Sequence, residues 1–127
     1  MTYETISIEK RGQVDWVTLN RPGSLNAISL QMANEMRDYF GKLFDDRHTR
    51  IVVLKGAGRA FCAGLDLHER NIRGEGPDAT PFGAGMGFQG NLADVYIKMR
   101  RCPQPIISLV HGPACGGAIS QRTKSLA

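Results

Sequence analysis

The sequence predicts an α/β fold. Apolar runs at 14–19, 50–56 and 106–110 have the composition of buried strands, and a shorter alternating run at 4–8 precedes them. The stretches between the last three runs contain segments with helical periodicity, which gives the order β-β-α-β-α-β. Strands that alternate with helices are typical of the α/β class. A chain of 127 residues forms one domain at most.

The first two strands are predicted from their alternation of apolar and other residues. Residues 4–8 place Ile6 and Ile8 on one face, and residues 14–19 alternate in the same way. The connecting stretch "EKRGQ" contains the glycine that a hairpin bend favours. We therefore expect these two strands to form a hairpin.

The first helix is predicted to begin after Ser29, which is a good N-cap residue, and to run to about Asp46. Its apolar residues recur at the spacing of one helix face, so they are expected to pack in the core. That face consists of Met32, Met36, Tyr39, Phe40, Leu43 and Phe44.

The second helix is predicted to begin after Asn91, its N-cap, and to end before Pro103 and Pro105. Residues 74–90 precede it and contain six glycines and two prolines, so a mobile loop without regular structure is expected there. The apolar face of this helix consists of Leu92, Val95, Tyr96 and Met99.

Composition and charge narrow the class of protein. The chain is 42% hydrophobic and 22% charged, as soluble globular proteins are, and no segment approaches the roughly 18 apolar residues of a membrane span. No targeting signal is visible at the N-terminus. Three widely spaced cysteines, Cys62, Cys102 and Cys115, favour a reducing compartment over a disulfide framework, so we expect a cytoplasmic protein.

The net charge of +4 is scattered along the chain, and only "DDRHTR" at 45–50 and "MRR" at 99–101 form clusters. Basic residues interleaved with aromatic ones, which would favour nucleic-acid binding, are not seen. We expect neither a nucleic acid nor a membrane as partner. Nucleic-acid binding stays an alternative hypothesis that only the net charge supports.

Several familiar catalytic motifs are missing from the sequence. It contains no Walker loop, no complete dinucleotide-binding fingerprint and no G-x-S-x-G elbow. His48, His68 and His111 stand alone, and nothing has the spacing of metal ligands. No metal site is therefore predicted, and each histidine is interpreted as a surface or structural residue.

Two strand-to-turn junctions are the candidate site. "LKGAGRAFCAGLDL" and "LVHGPACGGA" each place glycine-rich backbone directly after a predicted buried strand. Ligands of open α/β sheets bind at such carboxyl ends of strands, and glycine lets the backbone approach a ligand closely. Two such turns side by side could each donate one N–H to a single oxygen, as in an oxyanion hole. The alternative is that both are tight turns without a ligand.

Three segments in this order, "LNRPGSLNAIS", "IVVLKGAGRAFCAGLDL" and "IISLVHGPACGG", resemble the enoyl-CoA hydratase/isomerase (crotonase) family. The resemblance runs from about Ile6 to Gly117. It implies a superhelix of repeated ββα units and an acyl-CoA thioester as substrate, with no other bound cofactor. It also implies that the full-length protein forms trimers or pairs of trimers.

The resemblance also implies roles for individual residues. The backbone N–H groups of Leu65 and Gly117 would form the oxyanion hole. Residues 63–67 would line the adenine end of the coenzyme A pocket, and the loop at 74–90 would lie over the acyl group. Asp66 is interpreted as a helix cap rather than an acid or base. The full set of expected substrate-binding residues is Ser24, Leu25, Ala63, Gly64, Leu65, Asp66, Leu67 and Gly116.

The resemblance ends at one point, after Gly117. Family hydratases carry a glutamate where this chain has Ser120, and they continue into a long apolar helix where residues 118–127 are short and polar. We therefore interpret residues 1–117 as an incomplete, N-terminal crotonase-like domain and 118–127 as a tail foreign to the family, produced by a frame change or a truncated gene model. The chain alone is then expected to be nearly inactive, or to be an acyl-CoA binder without acid and base.

Overall fold

The computed structural model describes residues 2–64, 84–112 and 114; for residues 84–91 it describes the helix and not the side chains. The predicted order of elements is confirmed. In chain order the elements are β1 (Ile6–Arg11), β2 (Val14–Leu19), a 3-10 turn (Pro22–Ser24), α1 (Leu30–Leu43), β3 (Ile51–Gly56), α2 (Ala84–Arg101) and β4 (Ile106–Leu109).

The four strands form one sheet in the order β1-β2-β3-β4. β1 and β2 form the predicted antiparallel hairpin, in which Arg11 pairs with Val14 and Gly12 adopts a φ of +61°. β3 pairs in parallel with both β2 and β4. The carboxyl ends of β3 and β4, which carry the two glycine-rich turns, therefore lie next to each other at one end of the sheet.

The core lies between one face of the sheet and the two helices. Along β2 the burial alternates, so that Val17 and Leu19 are fully buried while Trp16 on the opposite face is half-buried. Burial of such side chains is the main source of the free energy that holds the helices to the sheet. The fully buried members from the two helices and from β3 and β4 include Met32, Met36, Phe40, Val52, Leu54, Val95 and Ile106.

Helix α1 begins as predicted and ends earlier. The Ser29 hydroxyl accepts a hydrogen bond from the Met32 backbone N–H at 3.1 Å, which is the expected N-cap. The helix ends at Leu43, because Asp46 folds a loop by accepting hydrogen bonds from the backbone N–H and the hydroxyl of Thr49. The prediction for Phe44 was wrong, since its side chain lies past the helix end and is 61% exposed.

Helix α2 begins at Ala84, eight residues earlier than predicted, so that Asn91 lies inside the helix and is not its N-cap. The expectation of irregular structure was thus wrong for residues 84–90. Glycine costs about 1 kcal/mol in a helix and does not forbid one. The helix ends before Pro103, as predicted. Its predicted inner face is confirmed, with Leu92, Val95 and Met99 buried and Tyr96 packed at the margin of the core.

Two buried carboxylates that the sequence did not single out tie helix α1 to β2 and to the segment before β1. Glu35 of α1 accepts hydrogen bonds at one oxygen from the backbone N–H groups of Glu4 and Thr5, both at 2.9 Å. Asp15 of β2 accepts a hydrogen bond from the Tyr39 hydroxyl at 2.6 Å and pairs with Lys10 at 3.0 Å. Buried charges are stable when they are paired and hydrogen-bonded in this way.

Within the described residues, no helix is both long enough and apolar enough to cross a membrane.

Candidate functional site

The chain turns sharply after β3, and this turn depends on the absence of a side chain at Gly56. A Cβ atom there would lie 2.5 Å from the carbonyl oxygens of both Ala60 and Phe61. Gly58 and Gly64 have φ values of +77° and +94°, in the region that glycine occupies without strain. The sequence "GAGRAFCAG" therefore folds into a compact turn that ends at the buried Gly64, directly before Leu65.

The turn after β4 lies against the turn after β3. A Cβ atom at Gly112 would lie 2.1 Å from the carbonyl oxygen of Arg59, so the two backbones are in direct contact there. Two residues further on, Ala114 forms an isolated parallel β-bridge with Cys62. In the residues that the structure describes, the two junctions therefore lie side by side, which is the condition that the oxyanion-hole hypothesis requires.

A third segment, the turn at 21–28, docks on the same end of the sheet. The backbone N–H of Ala63 donates to the carbonyl of Leu25 at 3.0 Å, and the N–H of Ile28 donates to the carbonyl of Gly64 at 2.6 Å. The structure thus brings together four of the residues predicted to bind substrate, including Ser24, which is exposed and precedes Leu25.

Asn26 holds this third turn in place, and its role was missed in the sequence. Its side-chain amide donates to the carbonyls of Ala57 and Ala60, both at 2.9 Å, and its amide oxygen accepts from the backbone N–H of Arg21 at 2.8 Å. Asn26 is fully buried and has a φ of +57°, which asparagine tolerates better than most residues. An asparagine just after a Pro-Gly-Ser turn was the signal that could have identified it.

The remaining predicted site residues lie outside the described residues. They are Leu65, Asp66, Leu67, Gly116 and Gly117, together with His68, Cys115 and Ser120. The structure describes the chain up to Gly64 and, on the other side, Ala114, so the oxyanion-hole assignment stays a prediction.

The environment next to the turns favours uncharged groups. Burial, together with the nearby Cys62 side chain, raises the pKa of Tyr96 to about 12. Cys62 itself is fully buried. In such surroundings a hydrogen bond to a developing negative charge is worth more than it is in water. Among the described residues, no group of three or more His, Cys, Asp or Glu side chains could hold a metal ion.

The sequence model of the family described as enoyl-CoA hydratase/isomerase matches residues 9–120, which include all three segments of the site. The chain belongs to the enoyl-CoA hydratase/isomerase family. The expectation from the sequence is thereby confirmed at the level of the family.

Curated relatives in this family carry different activities in their names. The chain is 36% identical over 110 residues to enoyl-CoA hydratase EchA19 of Mycobacterium tuberculosis, and the match covers 87% of this chain and 40% of that protein. It is 34% identical over 100 residues to 1,2-epoxyphenylacetyl-CoA isomerase of Escherichia coli, with 79% of this chain and 37% of that protein covered. The chain thus spans about two-fifths of the length of these relatives.

Solved structures of the family have the same fold. AtuE of Pseudomonas aeruginosa superposes with a TM-score of 0.84 at 33% identity, over 96% of this chain and 46% of that one. An enoyl-CoA hydratase from Streptomyces coelicolor, described as putative, gives a TM-score of 0.87 at 29% identity over 98% of this chain. The crotonase-like ββα fold expected from the sequence is confirmed, as a part of the full family fold.

Proposed function

We propose that the chain binds an acyl-CoA thioester and stabilises the enolate formed from it, as part of an enoyl-CoA hydratase or isomerase. The observation that carries this proposal is the direct contact between the turns after β3 and β4. Because Gly112 lies against Arg59 and Ala114 bridges to Cys62, the segments that continue to Leu65 and to Gly117 leave from neighbouring points. One backbone N–H from each segment can then serve a single oxygen.

The chemistry follows from the charge that develops on that oxygen. Hydrogen bonds from the N–H groups of Leu65 and Gly117 would polarise the thioester carbonyl, which acidifies the α-carbon and makes the β-carbon of an enoyl group electrophilic. Loss of one oxyanion-hole donor typically costs about 2.7–4 kcal/mol of transition-state stabilisation. Because both donors are main-chain groups, the apolar side chain of Leu65 is compatible with the role.

The three docked segments account for binding of the coenzyme A portion. Ser24 and Leu25 would lie along the pantetheine, and residues 63–67 would line the adenine end. Gly116 would let the backbone approach the thioester next to Gly117. No further cofactor is needed, since the substrate arrives as its coenzyme A thioester.

Hydration or double-bond migration also requires a group that moves a proton. Ser120 occupies the position where the family hydratases carry glutamate, and a serine hydroxyl is a poor acid or base near neutral pH. This favours a second candidate function, in which the chain binds acyl-CoA through the same turns without catalysing a complete reaction.

The test compares two ligands and two readouts. Affinity is measured for a short enoyl-CoA thioester and for the matched thioether, which lacks the carbonyl oxygen. Exchange of the α-protons of a saturated acyl-CoA with heavy water is followed by NMR. Preference for the thioester together with exchange supports the enzyme, and preference without exchange supports the binder. Equal affinity for both ligands contradicts the oxyanion hole, and no affinity for either contradicts the proposal as a whole.

We propose in addition that the protein acts on fatty acyl-CoA substrates in the cytoplasm and that its full-length form assembles as a homotrimer or hexamer. The described cysteines, Cys62 and Cys102, are buried and form no disulfide in the described part of the chain, which suits a reducing compartment. Cell fractionation tests the location, and light scattering coupled to size-exclusion chromatography tests the assembly.

A further inference from the structure

Two basic clusters that are far apart in the sequence meet at the end of the sheet opposite the site. β2, β3 and β4 begin at this end, and α1 and α2 finish there, because parallel neighbouring strands require each helix to run back. Direct bonds join the segments: the Arg50 backbone N–H donates to the Gln13 carbonyl at 2.8 Å, and the Gln104 amide donates to the Leu43 carbonyl at 2.9 Å. We call residues 10–14, 42–50 and 98–106 the basic end.

The basic end carries an excess of positive charge. Its ranges alone have a formal charge of +6, but Glu9, Asp15, Asp38 and Asp94 border them and form ion pairs with Arg11, Lys10, Lys42 and Lys98, so the net charge of the surface is +2. Within the ranges the acidic residues are Asp45, which lines the cleft described below, and Asp46, whose carboxylate is engaged by Thr49. The basic side chains are exposed or half-buried, and they are Lys10, Arg11, Lys42, Arg47, Arg50, Lys98, Arg100 and Arg101.

Exposed apolar side chains accompany these charges. The described residues include three large hydrophobic side chains that are exposed. Phe44, which is 61% exposed, lies in the basic end, and Ile97, which is 47% exposed, immediately precedes its third range. Phe44, Lys98 and Arg101 line a cleft of about 210 Å³. Ile97 lies one helical turn before Arg101. The surface therefore combines an exposed phenyl ring and an exposed aliphatic side chain with several basic side chains.

We propose that the basic end binds a membrane surface rich in anionic lipids. Cations are attracted by the negative potential of such a surface, and an aromatic side chain among them can enter the boundary between headgroups and acyl chains. Nucleic acids present phosphates too, but binding of single strands relies on several aromatic rings for base stacking, and here the exposed apolar groups are one ring and one aliphatic side chain. This surface is independent of the proposed acyl-CoA site, and it departs from the expectation of no membrane partner.

Vesicle flotation tests the proposal with the whole chain. Vesicles of phosphatidylcholine, with and without phosphatidylserine, are centrifuged from the bottom of a density gradient, so that aggregated protein stays below. We expect the chain to float with the phosphatidylserine vesicles and not with phosphatidylcholine alone, and flotation should fall as salt screens the charges.

Two double variants distinguish vesicle binding through the basic end from a general effect of the net charge. Arg47→Gln with Arg101→Gln should lower the partition coefficient about tenfold or more, because each cation near an anionic surface adds to binding. Lys55→Gln with Arg59→Gln removes the same charge away from the basic end and should change binding about twofold at most. Phe44→Ser should weaken binding, whereas Leu109→Ser, at an exposed site on β4, should not. Circular dichroism checks that each variant is folded.

Three results would overturn the proposal. The first is an absence of flotation with phosphatidylserine vesicles at low salt. The second is equal loss of binding in the two pairs of charge variants, which would show a response to net charge only. The third is complete competition by duplex DNA together with no effect of Phe44→Ser, which would indicate a nucleic-acid surface instead.

Discussion

The imidazole Nε2 of His111 lies 2.7 Å from the carbonyl oxygen of Gly58. This hydrogen bond joins the turn after β4 to the turn after β3, immediately before the contact of Gly112 with Arg59. Because the partner is a carbonyl oxygen, Nε2 must be the donor, as it is in the imidazolium and in the neutral tautomer that carries hydrogen on Nε2. The His111 side chain therefore helps to hold the two turns at a fixed distance from each other.

Replacing His111 by alanine should loosen the contact between the turns. The loss of one hydrogen bond at an exposed site is expected to lower the free energy of unfolding by about 0.5–1.5 kcal/mol, measured by urea denaturation. Amide exchange in the turn from Gly58 to Cys62 should become faster. His111→Gln keeps an N–H donor and should restore much of the protection, and His48→Ala, at the basic end, should change neither quantity. Unchanged exchange in His111→Ala would contradict this role.

Gly112→Ala should separate the same two turns more severely. The added Cβ would lie 2.1 Å from the Arg59 carbonyl oxygen, and a backbone carbonyl cannot swing away as a flexible side chain does. Overpacking of this kind costs about 1–3 kcal/mol, so the midpoint of urea denaturation should fall, and affinity for an acyl-CoA thioester should fall with it. Gly23→Ala is the matched control, because nothing lies within 4 Å of its Cβ position. Equal denaturation midpoints for Gly112→Ala and Gly23→Ala would show that the two turns can separate without a loss of stability.

Asn26→Ala should destabilise the chain by about 2–4 kcal/mol. The substitution removes two hydrogen bonds to the carbonyls of Ala57 and Ala60 and one from the N–H of Arg21, and it leaves buried polar groups without these partners. Asn26→Asp keeps the shape and the acceptor but directs a carboxylate oxygen at two carbonyls, so it should be about as harmful near neutral pH. A denaturation midpoint for Asn26→Asp close to that of the native sequence would contradict the assigned direction of these bonds.

The sequence was sufficient for those features that depend on local pattern. Three such features were predicted correctly: the alternation in β2, the N-cap at Ser29 and the end of α2 before Pro103. Each depends on interactions within a few residues. From the sequence, the side-by-side placement of the two turns was a condition of the oxyanion hole. The structure meets that condition because β3 and β4 are parallel neighbours, as buried strands linked by helices usually are. Phe44 was misassigned because the helical spacing continues past the true end of α1, which Asp46 and Thr49 determine.

Interactions between distant residues left no readable trace in the sequence. Asn26 reaches Ala60 across 34 positions, and Glu35 reaches Thr5 across 30. The Pro-Gly-Ser turn before Asn26 suggests a structural role for that residue, but nothing near Asn26 or Glu35 in the sequence indicates which distant residue is the partner. The early start of α2 was missed for a different reason, because its glycine-rich first turns have low intrinsic helix propensity, and propensity is a weak guide where tertiary packing decides.

The tyrosines provide a test of the packing as a whole. Burial raises the pKa of each of Tyr3, Tyr39 and Tyr96 above the usual value of 10.0, and hydrogen bonds to Asp38 and Asp15 raise the pKa of Tyr3 and Tyr39 further. The folded chain therefore binds more protons than the unfolded chain once the pH exceeds 10. The free energy of unfolding should then be unaffected by these groups below that pH and should fall as the pH rises above it.

Phenolate absorbance should therefore appear together with the loss of the far-ultraviolet circular dichroism signal rather than in a separate step near pH 10. In guanidinium chloride the same three phenols should titrate at their ordinary pKa. Tyr96→Phe, which keeps the buried ring and removes one phenol, should reduce the size of this absorbance change without moving it to lower pH. A phenolate step near pH 10 in a chain that is still folded would mean that at least one of these rings is open to solvent, against the burial of Tyr39 and the packing of Tyr3 and Tyr96 on the core.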